Sequence, residues 1–345
     1  MKDIEFYIEQ GVRKMGKTVL AFDIGESTMK IAQKTGDGIR VHAVQMPDSL
    51  MKDGIVQMPH LLSDFLKEVK KDLNLPGGEC GLVVPDELVV CRSLVLPAMT
   101  EKQLQVNLPF EFSDYISGEP NKYVYDYALQ EMICDEEGKP VEMKLIGAVM
   151  SKESVLNYVN IFKNAGLKLR TLIPQEIALR NVMEDAVSAG RIEADKEYCI
   201  VNLGHRSTQV FIFKGAEMLV FRTIHLGGQL LDEVIAENKN IDVYAARNHK
   251  NHNYNKILQE EFVTDTFGRF AVEVMKVINF YRFNNRESTL EDVYFMGGGS
   301  NVPTLCAGIA EINDFKQRPM MDLLPKGVAA DTDMIGVTAL GVLLQ

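Results

Sequence analysis

Apolar and polar residues alternate in short runs over most of this chain, and at a few places the alternation gives way to a 3.6-residue repeat. Thr18 to Asp23, Met29 to Gln33 and Ile39 to Gln45 read as three short strands. A helix is expected from Met58 to Leu73, where Leu61, Leu62, Phe65, Leu66 and Val69 form one stripe. Gly77-Gly78 break the chain, and Cys80 to Val84 and Leu88 to Leu94 read as two further strands. Strands and helices mixed in this way predict an α/β sheet with a covering helix. Upstream, residues 3 to 15 place Ile4, Tyr7, Ile8, Val12 and Met15 near one face of a helix. That face either packs on the chain's own domain or serves as a docking or membrane-surface stripe.

The pattern changes after Leu96-Pro97. Thr100 is a good N-cap for a helix from Glu101 toward Tyr115, which Pro109 must kink or split. Two extended segments, Tyr123 to Met132 and Val141 to Met150, are joined by a polar turn at Asp135 to Lys139. A helix from Lys152 to Asn164 stopped by Gly166 and a strand from Leu167 to Leu172 follow. This αββαβ block, residues 99–172, reads as an insert, because the segments on either side look like halves of one framework. Leu104, Leu108, Phe112, Val155, Tyr158, Val159 and Phe162, with Tyr123, Tyr125 and Tyr127, are expected to form mostly the insert's own core. Beyond it, the segment Cys199 to Val210 matches Leu20 to Ile31 in form, each a buried strand, a glycine turn and a returning strand.

A formal net charge of −11 leaves no broad cationic surface for a phosphate backbone, so nucleic acid is not expected as a main partner. The longest apolar runs, such as Val337 to Leu344, fall far short of the ~20 residues of a spanning helix, and the first residues lack the apolar core of a signal peptide. The five cysteines, Cys80, Cys91, Cys134, Cys199 and Cys306, are scattered and never spaced C-x-x-C. They read as small buried hydrophobes in a reducing compartment, which points to the cytoplasm.

Three segments carry candidate chemistry. In the first hairpin, Gly25 permits a tight turn whose backbone N–H groups can surround a phosphate. Ser27 or Thr28 can add a hydroxyl, Lys30 a point charge, and Asp23 can hold a hydrated Mg²⁺ ion. Such a turn also occurs in ordinary hairpins. The second hairpin supplies Gly204, His205-Arg206 and Ser207-Thr208. The third segment, Val293 to Leu305, leads a strand into Gly297-Gly298-Gly299-Ser300 and then a helix. Bare backbone there can accept a flat base or a ribose, or can form a loop with no ligand.

The order of these three segments resembles the phosphate 1, phosphate 2 and adenosine segments of the superfamily of actin, the actin-like heat-shock chaperones and the sugar kinases. The resemblance runs from Thr18 to Leu344, with Asp333 to Leu344 as the closing helix. It implies an actin-like ATPase fold, in which two βββαβα-type, RNase H-like domains flank a nucleotide cleft. The domains then read as an N-terminal helix (1–17), a first domain (18–98 with 173–197 and 326–345), the insert (99–172) and a second domain (198–325). Within the superfamily, Leu96 to Leu104, Glu111-Phe112 with Tyr115-Ile116, and Tyr125-Asp126-Tyr127 resemble the PilM family of type IV pilus assembly proteins. FtsA-like cell-division proteins carry a comparable insert but usually end in a membrane-targeting helix.

Position by position, the resemblance puts Asp23 at the metal position, Gly25, Ser27, Thr28 and Lys30 in the first phosphate loop, and Gly204 in the second. Gly227-Gly228 fall at a third phosphate contact and Gly297, Gly298, Gly299 and Ser300 in the adenosine loop. Glu273 and Lys276 fall on the purine- and ribose-contacting helix, where a solvated ion pair is an equal reading. Gln175 falls where relatives orient the attacking water, with Glu176 as runner-up. The chain departs from the pattern at Asn202, where the second phosphate hairpin normally carries Asp. Asn has no charge to organise metal or water, so ATP binding with slow hydrolysis or none is expected. The resemblance further implies ATP and Mg²⁺ as cofactors, and as partners the cytoplasmic N-terminal peptide of a PilN-like membrane protein, other pilus motor components and self-association. The implied location is cytoplasmic, peripheral at the inner face of the membrane. An FtsA-like filament protein and a small-molecule phosphotransferase are the alternatives.

Overall fold

The computed structural model describes residues 18–48, 50–330 and 336–344. The helix expected at residues 3 to 15 and the beginning of the closing helix at Asp333 lie outside them. The chain divides into two compact units, one running to Asn181 and resuming at Thr338, the other spanning Val182–Val337.

In the first unit, β1 (Leu20–Ile24), β2 (Thr28–Lys34), β3 (Ile39–Gln45), β6 (Gly78–Val84) and β10 (Leu167–Pro174) lie in the order β10-β6-β1-β2-β3. A two-stranded hairpin, β4 (Met51–Lys52) and β5 (Ile55–Val56), follows β3. β2 runs antiparallel to β1 and to β3, whereas β6 and β10 run parallel, so β1, β6 and β10 end at the same edge of the sheet. Both faces of β1 are buried, which its unbroken run of apolar residues requires. Helix α1 (Pro59–Asp72) covers the sheet with Leu62, Leu66 and Val69.

Two expectations for the insert change. Helix α2 (Glu101–Glu111) begins with the capping box of Thr100 and Gln103, but it ends at Glu111 instead of continuing to Tyr115. Pro109 lies inside this helix and costs it only the bond back to residue 105, since the ladder continues past it to Phe112 N–H donating to Leu108 O at 3.2 Å before the chain turns into a 3₁₀ segment at Ser113–Tyr115. The element order α-β-β-α-β follows the expected sequence, but the elements divide between two cores. β7 (Val89–Pro97), β8 (Tyr123–Cys134) and β9 (Pro140–Ser151) form a separate sheet in the order β7-β9-β8, under which Leu104 and Leu108 of α2 and Phe112 just past it pack with Leu94, Leu96, Met143 and Leu145. Helix α3 (Lys152–Asn164) instead places Val155, Tyr158, Ile161 and Phe162 in the core of the main sheet, and β10 pairs with β6. The physical reason is topological. A parallel β6-to-β10 connection needs a crossover helix, and α3 is that helix.

The second unit repeats the arrangement. β11 (Glu197–Leu203), β12 (Thr208–Lys214), β13 (Glu217–Ile224), β14 (Asp292–Met296) and β15 (Lys316–Arg318) lie in the order β13-β12-β11-β14-β15. β12 is antiparallel to β11 and β13, and β14 and β15 run parallel. Strand for strand this is the pattern of β3-β2-β1-β6-β10, so the short internal likeness in sequence marks a repeat of whole topology. Helices α5 (Gly228–Lys239), α6 (Val243–Asn251), α7 (Glu261–Asn284) and α8 (Pro303–Ile312) belong to this unit, and its core includes Leu231, Ile235, Phe267, Val274 and Ile309. All five cysteines are free thiols. Cys80, Cys199 and Cys306 are buried as expected, Cys91 is half-buried, and Cys134 is exposed where β8 ends at a solvated turn.

The division of cores is testable. The Phe162 ring meets Phe22 edge-on with centroids 5.2 Å apart. Phe162→Ala should cost about 3–5 kcal/mol and speed amide exchange in β1, whereas Phe112→Ala should loosen only the insert's sheet. Unchanged protection of β1 in Phe162→Ala would return α3 to the insert.

Candidate functional site

The first hairpin is closed by the Gly25 N–H donating to Thr28 O at 3.2 Å. A Cβ at Gly25 would sit 2.9 Å from that same oxygen, so only glycine fits the turn. Asp23 and Lys30 are direct partners across the β1–β2 ladder, and Lys30 Nζ lies 4.0 Å from where a Gly25 Cβ would be. The short hairpin alone therefore brings Asp23, Gly25, Thr28 and Lys30 together. Ser27 fixes the neighbouring chain, its carbonyl accepting from Met46 N at 3.0 Å.

Asp23 gains a partner from far along the chain. Thr338 Oγ1 donates to Asp23 Oδ2 at 2.6 Å, from the closing helix α9 (Val337–Leu343). That helix is seated against α4 (Gln175–Ser188), where a Cβ at Gly341 would stand 2.0 Å from Ala178 O and where Asn181 Nδ2 donates to Gly341 O at 3.0 Å. Neither Thr338 nor this clamp leaves a signal in the sequence.

The strand ends add two further carboxyls. Asp23 is level with Val83 of β6, and Val84 is level with Pro174 of β10. Asp86 and Glu176 thus leave the same edge of the sheet on which Asp23 lies, the edge where parallel α/β sheets bind ligands. Burial pushes the Asp86 carboxyl well above its usual range, with the charges of Glu176, Glu87 and Asp23 adding to the shift. Burial also raises Glu176, against the opposing effect of its own backbone hydrogen bond and of the Cys91 thiol. Gln175 and Glu176 open α4 and are both buried, at 8% and 4% exposure. Of the two, Glu176 is the one coupled to the acidic group. Asp86 could have been found from its place just past the apolar run ending at Val84.

In the second unit the equivalent hairpin closes with Gly204 N–H donating to Ser207 O at 2.9 Å, and a Cβ at Gly204 would be 2.8 Å from that oxygen. Asn202 takes the place of Asp23 and Gln209 that of Lys30, and the two are joined by Asn202 Nδ2 donating to Gln209 Oε1 at 2.8 Å. The charged pair of the first hairpin is thus replaced by an amide pair.

Gly227 and Gly228, expected at a third phosphate contact, lie against this hairpin. Gly228 N–H donates to Gly204 O at 2.9 Å, and a Cβ at Gly227 would lie 2.4 Å from His205 O. At the triple glycine, Gly297 has a φ of 83° and a Cβ there would be 2.3 Å from Asn202 Oδ1, while one at Gly299 would be 2.6 Å from Leu203 Cβ. Gly298 meets nothing, so steric need is confined to its neighbours. Ser300 caps the turn, its hydroxyl donating to Gly297 O at 2.7 Å. Glu273 lines a cavity of about 650 Å³ with Ile224, His225, Leu226, Arg269 and Val272. Lys276 does not line it and instead forms an exposed ion pair with Glu273 at 2.6 Å. Among the described residues no three His, Cys, Asp or Glu side chains converge as metal ligands.

Comparison with solved structures places this geometry. A structure described as the PilM-PilN type IV pilus biogenesis complex is similar at 21% identity, with a TM-score of 0.79 over 94% of this chain and 97% of that one. The ethanolamine utilization protein EutJ from Carboxydothermus hydrogenoformans is similar at 15% identity and a TM-score of 0.57, covering 99% and 94% of the two chains. The ADP-bound MreB5 of Spiroplasma citri follows at 12% identity and a TM-score of 0.50 over 94% of each. These likenesses establish the actin-like ATPase fold. No curated protein sequence matches the chain. The model of the family described as type IV pilus assembly protein PilM matches residues 21–320, and the chain belongs to that family.

Proposed function

We propose that the chain is an ATP-loaded scaffold of a type IV pilus assembly machine, which captures the N-terminal cytoplasmic peptide of a PilN-like membrane protein. The observation that carries the nucleotide half of this reading is the pair of glycine-closed hairpins, built at the same place on two copies of one sheet topology. In each turn the glycine N–H is used to close the hairpin, and the bare backbone that results, where no side chain can stand, suits the close approach of a phosphate to the turn's other amides. The residues fit Mg²⁺-ATP. Asp23, oriented by Thr338, would hold the hydrated magnesium, which needs only one or two carboxylates and supplies charge neutralisation to the phosphates. Gly25, Ser27, Thr28 and Lys30 would serve one phosphate group, Gly204 and Gly227-Gly228 the others, and Gly297 to Ser300 with Glu273 the nucleoside.

Hydrolysis is slow or absent in this reading. The Asn202–Gln209 amide pair satisfies itself and offers no charge to organise water or metal, and preorganised charge supplies much of the rate enhancement in phosphoryl transfer.

The peptide half rests on family membership and on the described partner of the PilM-PilN structure. A groove of about 700 Å³ in the first unit suits it. Ile55 of the β4–β5 hairpin, Leu88 just past β6, and Leu156 and Asn157 of α3 line it, with Ile55 and Leu156 left 46% and 39% exposed. Apolar contacts flanked by Ser154, Asn157 and Asn160 suit an extended peptide, whose side chains take the apolar wall and whose backbone takes the polar groups. Among the described residues no helix is long and apolar enough to cross a membrane. Attachment at the cytoplasmic face of the inner membrane would therefore come through partners, with other motor components and further copies of the chain assembling there.

Two outcomes check the reading. Asp23→Ala should weaken Mg²⁺-ATP binding at least tenfold in a folded protein, measured by calorimetry, while the wild type turns over well below roughly 1 s⁻¹. Equal affinity in the variant removes the metal assignment, and fast turnover removes the reading of Asn202. Separately, Leu156→Arg should cost at least tenfold in affinity for a PilN-like N-terminal peptide and leave nucleotide binding unchanged. Wild-type peptide affinity in that variant would move the partner site elsewhere.

A further inference from the structure

A buried ion cluster in the second unit has no part in the contacts assigned above. Asp232 lies on α5 among the apolar Leu231, Ile235 and Ala236 and is completely buried. A carboxylate in such a place is costly unless cations and donors surround it. They come from the next helix. Arg247 Nε donates to Asp232 Oδ2 at 3.1 Å and Lys250 Nζ stands 2.5 Å from Oδ1, the two cations being three apart on one face of α6.

Both cations also reach the second hairpin and its surroundings, Lys250 through a backbone carbonyl and Arg247 through the His205 ring. Lys250 Nζ donates to Gly228 O at 3.0 Å, and Arg247 Nη2 lies 3.3 Å from His205 Nε2. Burial and then the Arg247 charge push the His205 imidazole down to about 4, so the ring is neutral at physiological pH. A neutral ring that accepts from Arg247 at Nε2 carries its proton on Nδ1, which lies 4.0 Å from Asp232 Oδ2. His205 is thereby held between the guanidinium and the carboxylate. The backbone completes the connection. Gly228 N–H donates to Gly204 O at 2.9 Å, Gln229 N–H to His205 O at 2.7 Å, and Thr208 Oγ1 to Leu226 O at 2.8 Å. The first donors of α5 are thus satisfied by hairpin carbonyls, and the hairpin cannot shift without breaking them.

We propose that Asp232 is a positioning residue, which through Arg247, Lys250 and His205 clamps the 204–207 hairpin to the start of α5 and so fixes its backbone amides for a phosphate. The proposal deepens the nucleotide reading above and rests on it for the identity of the ligand. A cradle made of backbone gains from rigidity, since every donor already in place is one that binding need not order. The bulky His205 then has a use in this turn, since it is the side chain by which the turn is gripped.

The test combines amide exchange and nucleotide titration on the full chain. In Asp232→Asn, amides of residues 204–210 and 226–230 should exchange at least tenfold faster while β14 and α7 keep wild-type protection, and ATP affinity should fall at least tenfold. A purely structural role would instead lower global stability and leave hairpin exchange and the affinity of the folded protein unchanged, which would overturn the proposal. Faster hairpin exchange with wild-type affinity would overturn it as well. Lys250→Gln removes only the arm to Gly228 and keeps the Arg247–Asp232 pair. It should give a smaller change in the same direction, and should Asp232→Asn fail to fold, an unchanged hairpin in Lys250→Gln decides against the clamp. If the wild type bound no nucleotide, the function proposed above would fall, while hairpin exchange would still judge the clamp.

Discussion

The architecture turns on a backbone contact that only glycine permits. At Gly25 and again at Gly204 a single N–H donates to a carbonyl three residues on, and a methyl group would stand within 3 Å of that oxygen. Each turn follows the end of a largely buried strand, and in each unit that strand pairs antiparallel with its successor on one side and parallel with a later strand on the other. The tight turn sets the register of the first ladder, and the register places Asp23 against Lys30 and Asn202 against Gln209. In the second unit, Gly227, Gly297 and Gly299 are then confined by close approach to the same hairpin. Removing either glycine would disturb the elements that converge there as well as the turn itself.

From this common frame the two units diverge in charge. The first keeps acid and base across its hairpin, adds the hydroxyl of Thr338, and collects Asp86 and Glu176 at neighbouring strand ends. The second joins two amides across its hairpin and moves its charges behind the turn, where Asp232 is enclosed by Arg247 and Lys250. One unit is thus equipped to meet a cation, the other to hold a rigid backbone surface.

What the sequence revealed follows from how local each feature is. Both hairpins and the triple glycine are short-range objects, written in turn residues and period-two runs, and they lie where the pattern put them. Asp86 was half-legible, since an acid just past a buried strand is a common surface feature until two neighbouring strands are known to end beside it. Thr338 was not legible at all, because its partner lies 315 residues away. The assignment of α3 to the insert failed for a related reason. The stripe of Val155, Tyr158 and Phe162 is the same whichever sheet receives it, and only the β6–β10 pairing shows that the helix is the crossover of the main sheet. Asp232 was not legible either, because an isolated acid on an amphipathic helix reads as solvated until its burial is known.

The central claim is that both glycine hairpins are phosphate cradles, and backbone amide chemical shifts test it most directly. On titration of the wild-type chain with Mg²⁺-ATP, the amides of Gly25 and Ser27 in the first unit, and those of Gly204, Gly228 and Gly297 in the second, should shift saturably, while those of the insert's β8 and β9 stay in place. Saturable shifts confined to other surfaces, or no shifts at millimolar nucleotide, would contradict it.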